Sequence, residues 1–506
     1  MVWLVLSVLA EAATAGCGQE LMKIRVFPRD LLLLQRKIDR VDFTHIDPDV
    51  FLMFGYQVIT DKKITGATKG RHSFIVIVNA TGDIVGASRW NMRLWTPKLL
   101  NCSTVYMLST TTDTHEDYRS NARFTLWNAE SDRMIRVPIR GATHDLHYDP
   151  GSQTLFWLKN LMLHNPCQFP NSVCPDKKLV AAAFKSDNIL RCKINGQVVW
   201  KWDTVDRLLR QNVSFRTPFS FGDRCDTDFA HMNTVIYYAG QNVLYWNSRT
   251  LHSFFKLDVA TGALLWSVGR YATLRMYDEA GREVPELFQN AHGLHPVSDT
   301  AFYIFDNLHK GNCGDYSRLL RIEVDEGDGT ARITWVWAPN AAGCARLYRN
   351  YGGGSFHLPT GHVIGTFGDR PQHYIVGVSA EGRVEFQMGI KQAFVYDSIM
   401  FYRTPRIAQV EVHDTAVSFV VYDALYTVQA SDAVAEVEST CEPFRRQKAV
   451  TVLPFWQPNA VVLECPATGG FVIRFVNSAG VAGTHQVHRD CDSTSQAFAE
   501  KGAAWT

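Results

Sequence analysis

At 506 residues, with a formal net charge of +1, the chain carries no excess of either sign that would steer it to nucleic acid. Hydrophobic residues make up 46% and charged ones 20%, an ordinary globular balance. The length exceeds one ordinary domain, but closed all-β repeat architectures extend a single domain this far, and the composition suits a small-molecule or protein partner.

The chain opens on "MVWLVLSVLAEAATAGCG". Its apolar core from Val2 to Ala10 is too short to span a bilayer and is followed by the small residues Ala13-Thr14-Ala15, so residues 1–15 read as a secretory signal. No later stretch reaches the roughly 18 apolar residues of a membrane span. Eleven cysteines fit an oxidising, secreted or extracytoplasmic setting, and Asn79, Asn101 and Asn212 open glycosylation sequons. Residues 16–49 form an N-terminal extension holding a helical pattern, "RDLLLLQRKIDR"; a second helical pattern is "WDTVDRLLRQ" around Asp206.

From residue 50 one unit recurs: a short apolar run, a turn with Asp, Asn or Gly, then an alternating run that often ends in an aromatic residue. It appears as "VNATGDIVGASRW", "LWNAESDRMIRV", "KINGQVVWKW", "LDVATGALLW", "VDEGDGTARITWVW" and "VSAEGRVEF". The turns at Gly82, Ser131, Gly196, Gly262, Gly329 and Gly382 lie 49, 65, 66, 67 and 53 residues apart. Several units are preceded by a second hairpin, as in "THDLHYDPGSQTLFWL", "AHMNTVIYYAGQNVLYW", "AHGLHPVSDTAFYIF" and "GSFHLPTGHVIGTF". Two hairpins make a four-stranded sheet, and six such sheets predict a six-bladed β-propeller over residues 50–430. Between units, Cys167 and Cys174 bracket a loop and read as a disulfide staple. Beyond residue 430 the pattern changes, and residues 431–506 read as a small β module and tail, with Cys441 and Cys465 as a candidate bridge.

In a propeller the first strand of each blade lines the central channel, so His144, His231, His292 and His357, each at the start of a leading hairpin, converge although far apart in sequence. A single histidine at a strand start is usually structural; recurrence at equivalent places argues for a site. His144 and His147 lie three apart on one strand and so face opposite sides, which excludes a shared metal ion. "YGGGS" at Tyr351–Ser355 matches no phosphate-binding loop.

"DFAHMNTVIYY…NVLYWNSR…FFKLDVATGALLWSVG", then "FQNAHGLHP…FYIFDN…DYSRLLRIEVDE…ITWVW", "FGDRPQHYIVGVS" and "FYRTPRI" together resemble successive blades of the arylsulfate sulfotransferases, over roughly residues 50–410. The resemblance implies transfer of a sulfuryl group from a phenolic sulfate ester to a phenol through a sulfohistidine, with no nucleotide donor and no cofactor. It also implies His231 and His292 as sulfuryl-binding histidines, Arg318 as the charge clamp and His373 as the nucleophile. Asn233, two residues after His231, shares its strand face; Asn307, His357 and Arg403 are further substrate-binding candidates. The chemistry fits: sulfuryl transfer spreads negative charge over three oxygens, which fixed Arg and His donors stabilise, and neutral imidazole is a competent nucleophile. A homodimer is compatible with the sequence.

Two rival readings remain. "LDVATGALLW" also resembles the repeats of quinoprotein dehydrogenases, but six units and no clustered ligand set for Ca²⁺ argue against that class. The other is a secreted propeller that has lost its chemistry and serves as a binding module.

Overall fold

Each of the six polar turns closes an antiparallel hairpin in the computed structural model, and in each a turn side chain accepts from a backbone N–H that the reversal would leave bare. Asn79 Oδ1, for example, accepts from the N–H groups of Thr81 at 3.1 Å and Asp83 at 2.8 Å. Beside five of the turns the register slips at the same place, between Ile77 and Val78, Arg191 and Cys192, Lys256 and Leu257, Arg321 and Ile322, and Gly377 and Val378. This repeated bulge shows that the units are structurally equivalent. The structure describes residues 17, 19–42, 47–58, 73–95, 97–110, 121–164, 183–210, 215–216, 228–311, 314–339, 347–368, 372–440, 443–466 and 469–488.

Six sheets of four to six strands take up these hairpins. The third runs Ala142–Asp149, Thr154–His164, Ala183–Lys193, Val198–Trp202, and the fourth Met232–Tyr238, Val243–Ser248, Ser253–Asp258, Leu264–Gly269. The fifth begins at His292–Pro296 and the sixth at Ser355–His357. Leading strands of successive sheets touch in order, and Ser398–Tyr402 returns from the end of the ring to pair with Val50–Val58 of the first sheet. Ile38–Asp42 likewise joins the last sheet by pairing with Val384–Lys391. The architecture is an all-β propeller, closed by strands from both ends of the ring.

The tryptophans that end several repeats fasten one sheet to the next. Trp202 Nε1 donates to the carbonyl of Gly262 at 3.0 Å, Trp266 Nε1 to Glu326 Oε1 at 2.9 Å, and Trp337 Nε1 to the carbonyl of Gly382 at 3.1 Å. In each case the acceptor lies in or beside the polar turn of the following sheet. The indole therefore buries its apolar body between sheets, a contribution of roughly 1.5–3 kcal/mol for a large side chain, while its polar tip finds a partner. The wedge between the fourth and fifth sheets is filled by Tyr245, Phe254 and Trp266 packed on Phe302, Ile304 and Leu320.

The extension supplies the first predicted helix, Pro28–Lys37. Cys17 is disulfide-bonded to Cys102, a pairing that sequence spacing did not single out. Cys167, Cys174, Cys441, Asn212 and residues 1–15 lie outside the described residues. After Tyr402 the chain leaves the ring: Arg406–Val412, Ala416–Tyr422 and Asn459–Glu464 form one sheet, and Ser431–Ser439, Arg445–Val452, Phe471–Val476 and Ala482–Val487 another. These two sheets share an apolar core that includes Phe419, Ala435, Ile473 and Phe475. Tyr426 reaches back to the ring, its hydroxyl donating to the carbonyl of Pro296 at 2.7 Å. Among the described residues no helix is long and apolar enough to cross a membrane.

Candidate functional site

Three leading strands begin with the same local device. His144 and His231 have φ of 56° and 33°, and the glycine after His292 has φ of 57°, all in the left-handed region. The register slips immediately afterwards, between Thr143 and Leu146, Met232 and Thr234, and His292 and His295. A bulge at a sheet rim re-aims the side chain beside it, and positive φ at a non-glycine residue is a cost the fold must offset. His147, three residues after His144, lines the channel cavity, and His144 is not among the residues that bound it.

Tyr396, in the segment before the closing strand, is the hub of the cluster. Its ring lies 6.1 Å from that of His292, 6.3 Å from His144 and 5.2 Å from Trp95; His144 is 4.8 Å from His231. Its hydroxyl is buried and finds no partner among the described residues.

The histidines differ in how their Nδ1 atoms are held. His231 Nδ1 is 2.7 Å from Asp228 Oδ2, and a carboxylate accepts, so Nδ1 carries the proton and Nε2 keeps its lone pair. His292 Nδ1 is 2.7 Å from Asn307 Oδ1. Asn307 spends its amide nitrogen on the carbonyls of Arg349 and Gly352, at 2.9 and 2.7 Å, which fixes its oxygen towards His292 and gives the same tautomer. His373 is the reverse case: Arg349 Nη1 donates to its Nδ1 at 3.2 Å, so a neutral His373 holds its proton on Nε2. Burial first, and then Asn307, His231, Arg249 and Arg349, set the His292 pKa, which falls to about 3 and leaves a neutral imidazole.

Arg318 lies elsewhere than expected. Its Nε donates to Asp306 Oδ2 at 2.8 Å and its Nη2 to the carbonyl of Leu287 at 2.9 Å. Asp306 also accepts from the backbone N–H of Gln289 at 2.9 Å, so this buried pair fixes the segment that delivers His292. Because Arg318 stands opposite Asp306 in the sheet register, its charge is already matched.

Two arginines that sequence reasoning passed over stand by the imidazoles. Arg349 is fully buried and, besides His373, donates to the carbonyls of Tyr351 at 3.0 Å, Tyr396 at 3.3 Å and Val395. Arg249 is half-buried at the turn after Val243–Ser248, and its backbone N–H donates to the carbonyl of His231 at 3.1 Å. Its Nε has no partner among the described residues, and its charge acts on His292 and Tyr396. Arg249 closes "NVLYWNSR", a motif already noted, but only the turn geometry shows that it faces the histidines.

The remaining candidates disperse. Asn233 donates to the carbonyl of Ala291 at 2.8 Å and accepts from Asn247 at 2.7 Å, tying the fourth sheet to the residue before His292. His357 stacks on Tyr303 at 5.3 Å, and burial, with Arg321 and His362, lowers its pKa to about 3, so it belongs to a different group. Arg403 is exposed, and its backbone carbonyl accepts from Cys17.

Sharing Tyr396 with the histidine cluster is a cavity of about 360 Å³, bounded by Asn233, Gly293, Tyr396 and Asp397 and by apolar walls such as Tyr106, Leu294, Phe356 and Met400. Tyr426–Ser431 of the appended module form part of its wall. "YGGGS" has a structural role: a Cβ at Gly353 would meet Phe305 at 2.7 Å, and one at Gly354 would fall inside the Asp397 carboxyl. No group of three metal-ligating side chains occurs among the described residues.

A family model described as Arylsulfotransferase (ASST) matches residues 176–373, the stretch that holds His231, Arg249, His292, Arg349 and His373. No curated protein sequence matches the chain. Among solved structures, TolB from Acinetobacter baumannii is similar at 10% identity over 70% of this chain and 67% of that one, with a TM-score of 0.40. The periplasmic gluconolactonase PpgL of Pseudomonas aeruginosa is similar at 11% identity over 81% and 99%, with a TM-score of 0.34. The β-propeller domain of the Trilobed protease from Pyrococcus furiosus is similar at 8% identity over 79% and 96%, with a TM-score of 0.27.

Proposed function

We propose, taking the arylsulfotransferase match over residues 176–373 as premise, that this protein moves a sulfuryl group from a phenolic sulfate ester to a phenol and that His231 carries the group between them. The observation that carries the choice of histidine is the Nδ1 partner. Asp228 holds the His231 proton on Nδ1 and leaves Nε2 as a lone pair, on a side chain that is 22% exposed. His292 has the same tautomer but is buried, and the Nδ1 lone pair of His373 is taken by Arg349.

In the first half-reaction Nε2 of His231 attacks sulfur, the S–N bond forms, and the S–O bond to the phenol breaks with its electron pair. The imidazole becomes positive, and Asp228 stabilises that charge as an orienting carboxylate does for any general base. In the second half-reaction the acceptor oxygen attacks sulfur and the imidazole leaves neutral. Arg249 supplies fixed N–H donors for the sulfuryl oxygens, whose charge is largest in the transition state. Six blades, a secreted location and a phenol seated in the cavity are parts of the same reading.

The test is incubation of the protein with an aryl sulfate and an excess of a second phenol. Appearance of the second phenol's sulfate ester supports the reading. Release of the first phenol with only inorganic sulfate, or no reaction, overturns it and leaves a binding propeller.

A further inference from the structure

The cavity that shares Tyr396 with the histidine cluster holds a carboxylate for which the transfer above has assigned no task. Asp397 follows Tyr396 directly and lines the cavity with it. Its Oδ1 accepts from the backbone N–H of Ser398 at 2.7 Å, and no described residue donates to Oδ2. The absence of a Cβ at Gly354 makes room for this carboxyl, so the backbone is shaped around it. A second carboxylate on the same wall, Asp145, is already engaged: Lys98 Nζ donates to its Oδ1 at 2.6 Å and the N–H of Val235 to its Oδ2 at 3.1 Å. Asp397 therefore stays open to a ligand. An independent sign of one is Tyr396, 8% exposed, whose hydroxyl lacks a partner among the described residues and whose residue lines the same space.

We infer that Asp397 is the proton relay of the sulfuryl transfer, protonating the departing phenolate of the donor and taking the proton back from the acceptor phenol. The inference rests on the function proposed above. The steps balance: as the S–O bond breaks, the phenolate takes the Asp397 proton and leaves as the phenol; as the acceptor oxygen bonds to sulfur and the S–N bond breaks, its proton passes to the Asp397 carboxylate. The pair closes a cycle with no net gain or loss of protons.

The surroundings suit the role. Burial pushes the Asp397 carboxyl up to about 7, against lowering by the Ser398 N–H, Arg349 and Lys98 and with a further push from Asp145. A relay that both gives and takes a proton works best with a pKa near the working pH. Tyr396 itself is held well above its ordinary value by burial and by Asp145 and Asp397, so it remains a neutral hydrogen-bond donor beside the carboxyl.

The test compares wild type with Asp397→Asn on two donors, phenyl sulfate, whose phenol has a pKa of about 10 like tyrosine, and 4-nitrophenyl sulfate, whose phenolate leaves without help. Asparagine keeps the acceptor for Ser398 N–H, and unchanged thermal unfolding reports an intact fold. The expected result is a loss of about 10²- to 10⁴-fold in kcat for phenyl sulfate, a loss below about 10-fold for 4-nitrophenyl sulfate, and disappearance of the decline in phenyl sulfate turnover above about pH 7. An equal loss on both donors with the pH decline retained, or no loss, overturns the relay while leaving the transfer intact. Absence of transfer in the wild type overturns both.

Discussion

At the scale of single residues, the two arginines are separated by what already binds them. Arg318 is spent on Asp306 and Leu287, whereas Arg249 Nε has no partner among the described residues and its charge acts on His292. Arg249→Ala is expected to lower kcat by about 10²- to 10³-fold with an unchanged unfolding midpoint, the size seen when one fixed donor to a developing charge is lost. Arg249→Lys keeps the charge but not the planar fork and should recover only part of that loss. Arg318→Met leaves Asp306 buried without its partner and should cost about 3–5 kcal/mol of stability in chemical denaturation, before any effect on chemistry is read. A midpoint unchanged by Arg318→Met would return that residue to the list of candidate clamps. His231 and His292 were legible because a strand start is a position that sequence can mark. Arg249, Arg349 and Tyr396 were not, since they stand in turns and connecting segments where no repeat fixes the direction of a side chain.

At the scale of elements, the repeat was legible because its turn chemistry is local. The side chain that accepts the turn N–H lies within a few residues of it, as Asp258 does for Thr261. The role of the closing tryptophans was not, because the partner of Trp202 is Gly262, 60 residues on and in another sheet. Trp202→Phe keeps most of the apolar contact but leaves the Gly262 carbonyl without this donor. The expected cost is about 1–3 kcal/mol in denaturant, with transfer activity per folded molecule preserved. The bulges after His144, His231 and His292 were equally hidden, since one extra residue in a strand leaves little trace in a hydrophobic pattern.

At the scale of the whole molecule, the histidines make stability depend on pH. His147, His292 and His357 are each lowered by burial to about 3, and His295 well below its ordinary value. Unfolded, each binds a proton below about 6.5, so between about pH 6.5 and 3 the unfolded chain holds more protons and stability falls as the pH falls. Each contributes on the order of 1.4 kcal/mol per pH unit in that window. Asp397, raised to about 7, acts in the opposite sense between about 4 and 7, as do Asp47, Asp187 and Asp423, which burial also raises, whereas His309 and the lowered carboxyls of Asp203 and Glu326 act with the imidazoles. Denaturant midpoints measured from pH 7.5 to 4.5 should therefore fall with acid, and replacing His292 by Gln should lessen the fall; a profile that His292→Gln leaves unchanged would mean that this histidine is not held neutral by the fold. The ring itself was readable from six turns at near-regular spacing. Its closure was not, because Ser398–Tyr402 pairs with Val50–Val58 from the opposite end of the ring's sequence.

The central claim, that one imidazole of this ring carries the sulfuryl group, is tested most directly by rapid-quench mass spectrometry after addition of an aryl sulfate without acceptor. The quench must be neutral to alkaline, since an N–sulfuryl imidazole is labile in acid. The account predicts an adduct of the mass of one SO₃ on the peptide holding His231, discharged on addition of a phenol and absent from His231→Ala. An adduct on His373 that survives His231→Ala, or transfer between phenols at full rate by the His231→Ala protein, would contradict it.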